Sequence, residues 1–487
     1  MGYSAPEGQM TVTATEWIAH AVDERAKDFI ALADRIWDNP ELRWKEFASV
    51  AAQREAAAAA GFTITDSVAG IPTAFCAESG SGGPVVAILG EFDSLAGLSQ
   101  ESGVARPQPD PANASGNGQG CGHHLLGSAS LLAAVAVARY LQDQGLPGRV
   151  RYYGCPAEEA AAGKTFMVKG GAFADVDAAV SWHPGALTGV TRSHSLAYCQ
   201  AYFAFRGTPS HAGASPHLGR SALDAAELMN IGVNFLREHM PSDCRVHYAF
   251  IDAGGPSANV VQASARLYYV VRAANVPAMR SLYDRVVKIA QGAAVMTETE
   301  LSIEYDGGCS ELLGNDVLEE AMSKEFAQLG PVPFDDADRE RAEPFLATVS
   351  ADEVARTRRL AHIPADSTSP LHDGVLPFHP DADRITMGGS TDVGDVSWVV
   401  PTVQCTAAVA ALGTPGHSWQ MTGQGKLPAA HKGMLHAAKV MGATAARMLT
   451  DAELVDAAKA EFAGRLAERP YDCPIPDGVV APPLRPE

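Results

Sequence analysis

Three short stretches carry side chains whose types suit metal chemistry. "GCGHH" sets Cys121 two residues before His123, with His124 adjacent and glycines around them. "GCPAEEA" ends a strand-like run in two neighbouring carboxylates, Glu158 and Glu159, and "VSWHPG" ends another in His183. Thiolate, imidazole and carboxylate together make a mixed sulfur, nitrogen and oxygen donor set, suited to zinc, manganese, cobalt or nickel. A spacing of two does not place Cys121 and His123 on one face of a regular helix. It suits a turn around a cation, which the flanking glycines permit. Adjacent glutamates point in different directions, so one can bind metal while the other takes a proton from water that the metal has made acidic. Singly, each group has a plain structural reading: a buried thiol, a solvated acidic pair, a core histidine. Their common placement at strand ends and a helix start is what favours chemistry.

That placement follows from the hydrophobic pattern. "PVVAILGEFDSL" (84–95), "GRVRYYGCPAEEA" (148–160) and "VDAAVSWHPG" (176–185) are apolar runs that end in acids or histidine, the pattern of strands buried on both faces. Helical patterns run from Thr13 to about Trp37, over Phe47–Ala60 before Gly61, and through the apolar stretch Leu125–Leu141. The last falls short of a membrane span and reads as a core helix. The alternation predicts an α/β fold with a mainly parallel sheet, whose chemistry gathers at the carboxyl ends of strands. After Gly189 the rhythm becomes β-α-β-β-α-β, a ferredoxin-like unit over 190–307. The expected organisation is therefore a catalytic domain over 1–189 and 308–487 with an inserted lid or dimerisation domain at 190–307. Further helices are expected near 315–328 and 351–360, an apolar segment at 399–413, and a Pro-rich tail on the surface.

At 487 residues two domains are the expectation. The net charge of −20, with no clustered basic face, argues against a nucleic-acid partner. The eight cysteines are scattered without a CxxC pair, which reads as reduced thiols. "MGYSAPEGQM" has neither a basic nor an apolar leader region, so a cytoplasmic protein with no membrane partner is expected. "GKT" at 163–165 lacks the glycine of a phosphate loop, and neither HExxH nor GxSxG occurs.

Six longer segments complete the pattern: "GEFDSLAGLSQ" (90–100), "GCGHHLLG" (120–127), "GCPAEEAAAGKTFMVKGGAF" (154–173), "GTPSHAGASPHLGRSALDA" (207–225), "GSTDVGDVSW" (389–398) and "GTPGHSWQ" (413–420). In this order they resemble, over nearly the full length, the di-metal amidohydrolase family that includes aminoacylases, glutamate carboxypeptidases and hydrolases of indoleacetyl-amino acids. The resemblance implies two divalent ions, zinc or manganese, held by Cys121, His123, Glu159, His183 and the distant His417. It implies Glu158 as general base and Asp93 as the residue that orients a ligand. His211 corresponds to a histidine that steadies the oxyanion, commonly across a homodimer interface, and Asn259 and Arg272 to residues that hold substrate. The implied reaction is hydrolysis of an amide joining an acyl or aroyl group to an amino acid. Some relatives form part of a hetero-oligomer, so a second related subunit is a further expectation.

The chain departs from the family at two places. Glu91 stands where relatives of other branches have a ligand histidine, and His124 where Asp or Asn is usual, so both roles are open. Asp392 and Asp395 lie in a family segment, but a capping or turn function serves as well; His217, His431 and His436 are read as structural. Three rival functions stand beside the main one: another amide or dipeptide as substrate, a non-catalytic metal-binding subunit, and Cys121 as nucleophile. A thiol enzyme would survive a chelator. A non-catalytic subunit has no need of a base such as Glu158.

Overall fold

The structure is a computed structural model that describes residues 12–364 and 366–481. Its strands, in chain order, are β1 (Thr63–Asp66), β2 (Phe75–Ser81), β3 (Val85–Glu91), β4 (Gly148–Cys155), β5 (Ala178–Gly185), β6 (Gly189–Val190), β7 (Ser193–His194), β8 (Ala197–Arg206), β9 (Arg245–Asp252), β10 (Ser264–Ala273), β11 (Glu300–Cys309), β12 (Ile385–Thr386) and β13 (Thr402–Ala408).

The central sheet has the order β1-β2-β4-β3-β5-β13-β6 and is parallel through its middle, β4-β3-β5-β13, with antiparallel pairs at both edges. All seven residues of β3, VVAILGE, are buried, as expected of a strand covered on both faces. One face is covered by the helices Ala14–Trp37, His123–Gln144 and Pro428–Thr450, which pack on one another and on the sheet in the largest apolar cluster. Thr13 caps the first of these rather than joining it, and Glu16 completes a capping box. The second helix begins at His123, two residues earlier than its apolar pattern. It is long and apolar enough to cross a membrane, contrary to the expectation that it falls short, but most of it is buried inside the protein.

The second sheet is antiparallel, with the order β11-β8-β10-β9, and carries the helices Ala222–Leu236 and Val276–Thr297. Along the chain these elements run β-α-β-β-α-β. They share an apolar core whose buried residues fall within 197–294. Strand β9 lies at the sheet edge, and its last six residues are all exposed.

The tail differs from its surface reading. Ile475 is buried, the Tyr471 hydroxyl donates to Asp395 Oδ1 (2.8 Å), and Tyr305 donates to the Pro474 carbonyl (2.9 Å). Cys473, Ile475, Val479 and Ala481 of the tail pack into a core cluster. The N-terminal stretch "MGYSAPEGQM" lies outside the described residues.

Burial also creates a pH liability. His436 sits beside Phe326, ring centroids 6.0 Å apart, and burial helped by the charge of Lys439 holds its pKa down at about 4. An unfolded chain keeps it near 6.5, so between these values the unfolded state binds a proton that the folded state refuses. Stability contributed by this site is therefore full above pH 6.5 and falls by about 3 kcal/mol as the pH approaches 4. His436→Gln is expected to remove most of that loss. Denaturant unfolding of both proteins at pH 7 and pH 4.5 checks it, and equal acid sensitivity would contradict it.

Candidate metal centre

The centre forms where strand ends and turns from distant segments meet. Strand β3 ends at Glu91 and delivers Asp93 two residues later; β5 carries His183 near its end. The turn that supplies Cys121 passes through Gly122, whose φ of 76° is left-handed. A Cβ there would stand 3.1 Å from both Pro184 and Met421 side chains, so the left-handed backbone and the tight surroundings both favour glycine. Glu158 and Glu159 begin a one-turn helix, Glu158–Ala161, flanked by Ala157 (φ 57°) and Ala162 (φ 63°). His417 is itself left-handed, at φ 54°. Such non-glycine residues cost about 1–3 kcal/mol each and cluster at functional sites.

The candidate ligands converge. Donor atoms of Cys121, His123 and His183 lie within 4.8 Å of one another, as do those of Cys121, Glu159 and His417. Cys121 Sγ is 3.4 Å from His183 Nε2, and His417 Nε2 is 3.1 Å from Glu159 Oε2. Asp93 braces both halves: Oδ1 accepts from His123 Nδ1 (2.8 Å) and Oδ2 from the Glu159 backbone N–H (2.9 Å). That bond directs His123 Nε2 inward. His183 Nδ1 is likewise engaged by the Pro184 carbonyl (2.8 Å), leaving Nε2 to face Cys121.

The donors fit cations. His123 Nε2, Glu159 Oε1 and Glu91 Oε2 are buried with no hydrogen-bond partner among the described residues, a condition that costs about 1–3 kcal/mol per group. Burial, reinforced by the charges of Glu91, Glu159 and Asp392, pushes the Glu158 carboxyl well above its ordinary range. Burial and Glu159 push the Cys121 thiol up. Burial would raise Glu159 too, but its bond to His417 and the charge of His123 prevail and hold it at about 2. So many acidic donors gathered in one place match divalent ions, with Cys121 common to two donor groups.

Several residues take places that local pattern does not reveal. Asp392 does not cap the helix Val393–Ser397; its Oδ1 accepts from Lys164 Nζ (2.7 Å) and its Oδ2 from the Lys164 backbone N–H (2.8 Å). Lys164 is completely buried and also donates to Glu91 Oε1 (2.5 Å). A lysine inside the small and apolar run "AAAGKTFMV" was the available signal. Asp395 accepts from Thr165, Ser310 and Tyr471, joining four segments. His124 turns away from the centre, with Nε2 at the Gly425 carbonyl (3.0 Å), and burial lowers its pKa to about 3. His431 pairs with Asp34 (2.9 Å).

Cys121, Glu158, Glu159, His183 and His417 open into a cavity of about 940 Å³. Tyr198, Tyr268 and Arg272 of the second sheet line its other side, with Leu376, Phe378 and Met387 from the loop before β13. Arg272 donates to Ser390 Oγ (2.5 Å) and lies over the Tyr198 ring (5.2 Å). His211 and Asn259 are not brought to this cavity within the chain. Both are exposed, and they adjoin each other, the Ala212 N–H donating to the Asn259 carbonyl (3.0 Å). His211 Nδ1 accepts from the backbone of Gly213 and Ala214 (3.1 and 3.0 Å).

The fold is shared with a dinuclear metal-binding peptidase of the M20 family from Bacillus subtilis, at a TM-score of 0.54 and 16% identity over 88% of this chain and 99% of that one. No family model matches the chain. It is 44% identical to one subunit of the p-aminobenzoyl-glutamate hydrolase of Escherichia coli, over 96% of this chain and 99% of the relative. The chain belongs to the family of that hydrolase. Another subunit of the same Escherichia coli enzyme is 32% identical over 45% of this chain and 51% of its own length.

Proposed function

We propose that this protein hydrolyses the amide bond between an acyl or aroyl group and an amino acid, with p-aminobenzoyl-glutamate as the type of substrate. The observation that carries the reading is the meeting of Cys121, His123, Glu159, His183 and His417, from four separate segments, with all but the buried His123 lining one large cavity. Those five residues would hold two divalent ions, zinc or manganese. When bound, such ions acidify a water molecule and polarise the amide carbonyl. Glu158, half-buried and lining the cavity, takes the proton from the attacking water and passes it to the leaving nitrogen. Asp93 keeps His123 in one tautomer. Arg272 faces the substrate carboxylate, and the apolar wall of Leu376, Phe378 and Met387 faces the acyl group.

Residues 190–307 act in this reading as a ferredoxin-like lid and dimerisation domain inserted into the catalytic domain of 1–189 and 308–487. His211 and Asn259 serve the site of a second copy of the chain, where His211 stabilises the oxyanion. Their exposure supports this, as do the exposed Ile231 and Phe235 and the uncovered edge of β9. A different but related chain is the alternative partner, by analogy with the two related subunits of the Escherichia coli hydrolase. The cytoplasm is the proposed location.

The test is a panel of p-aminobenzoyl-glutamate, other N-acyl glutamates and aspartates, N-acyl neutral amino acids and dipeptides, with the purified chain and added manganese or zinc. Release of glutamate from the aroyl substrate is expected, and no turnover of any member would overturn the reading. Arg272→Ala is expected to raise KM for the glutamate conjugate about 10- to 100-fold with kcat little changed, the loss of a charge-assisted contact worth about 1.5–3 kcal/mol. An unchanged KM would remove Arg272 from the substrate site. Sedimentation equilibrium reads the dimer directly, and a monomer with full activity would exclude a role for His211 across an interface.

A further inference from the structure

We propose that Glu91 is a further cation ligand of this centre, on the side of His123, and that Lys164 and Asp392 are the positioning residues that aim it. The inference rests on the metal-dependent reading above. Glu91 Oε2 lies 3.3 Å from His123 Nε2, and neither atom has a hydrogen-bond partner among the described residues. His123 already donates from Nδ1 to Asp93, so its neutral form presents a lone pair at Nε2. Two acceptors facing each other in a buried site repel unless a positive charge stands between them, either a proton on His123 Nε2, which makes the contact an ion pair, or a cation that takes its place. Donor atoms of Glu91, His123 and Glu158 also lie within 4.8 Å of one another.

The clamp explains why only one oxygen of Glu91 faces inward. Lys164 Nζ holds Oε1, while Asp392 grips Lys164 through both its backbone N–H and its ammonium group. Glu91, Lys164 and Asp392 are each at most 1% exposed, so solvent neither screens nor loosens the array. Lys164 lies five residues beyond Glu159, which ties the Glu158–Ala161 turn to the same clamp. Glu91 and Glu158 divide the work by access. Glu158 lines the cavity and can reach substrate; Glu91 is sealed behind it.

The experiment is cobalt(II) titration of the full-length protein after chelation, with ions counted by mass spectrometry and the ligand-field spectrum recorded. Wild type is expected to take two ions. Glu91→Gln keeps an acceptor for Lys164 but presents an amide to His123. It should weaken one ion at least about tenfold and change the spectrum. Glu91→Asp keeps the charge beside Lys164 but withdraws the carboxylate by one methylene, and should also lose affinity. Asp392→Asn, which loosens Lys164, should weaken the same ion by about 10- to 100-fold. Two ions bound with wild-type affinity and spectrum in both Glu91 variants would overturn the proposal and leave the metal-dependent reading intact. A wild-type protein that binds no cobalt would overturn both.

Discussion

Glu158→Gln is expected to lower kcat by about 10²- to 10⁴-fold, the usual contribution of a positioned general base, while KM changes little. Glutamine matches the shape of glutamate but cannot accept the proton of the attacking water. The variant should fold, because Glu158 sits on a short turn held by its neighbours, with Asp93 fixing the next backbone N–H. It should also keep its metal, since both donor groups that contain Cys121 form without Glu158. Steady-state kinetics with metal analysis on the same preparation separates the effects. Turnover within tenfold of wild type would assign the base elsewhere; lost metal would make Glu158 a ligand.

Removing the metal is expected to abolish turnover and weaken the fold together. Cys121, Glu158 and Glu159 crowd together beside the buried Glu91 and Asp93, and divalent ions would offset the charge of these groups once they lose their protons. Ligand that binds the folded state alone stabilises it by about 4 kcal/mol at a thousandfold excess over Kd. An excess of chelator should therefore lower Tm by at least about 5 °C. Zinc or manganese should restore both Tm and activity. A thiol nucleophile at Cys121 predicts the opposite result, with activity persisting in chelator. Scanning calorimetry beside an activity assay distinguishes them.

Much of the centre is legible in the chain because it obeys local rules. Apolar runs that stop abruptly at Glu91, Cys155 and His183 mark strands buried on both faces, and a parallel sheet collects whatever follows their carboxyl ends. The glycines around Cys121 mark a turn before a core helix. His417 has no such local mark; only the family resemblance selects it, and its left-handed backbone then brings it to Glu159.

Donor types, their spacing and the strands that end beside them are readable along the chain, and with them the kind of chemistry and the edge of the sheet where it gathers. The tertiary structure alone decided the partners. Lys164 meets Asp392 across 228 residues and Glu91 across 73, and His124 turns to Gly425 rather than to the donors beside it. The physical reason is that periodicity encodes which side of an element is buried, whereas the pairing of buried charges depends on how separate elements pack. A buried ammonium group must find carboxylates wherever the fold places them.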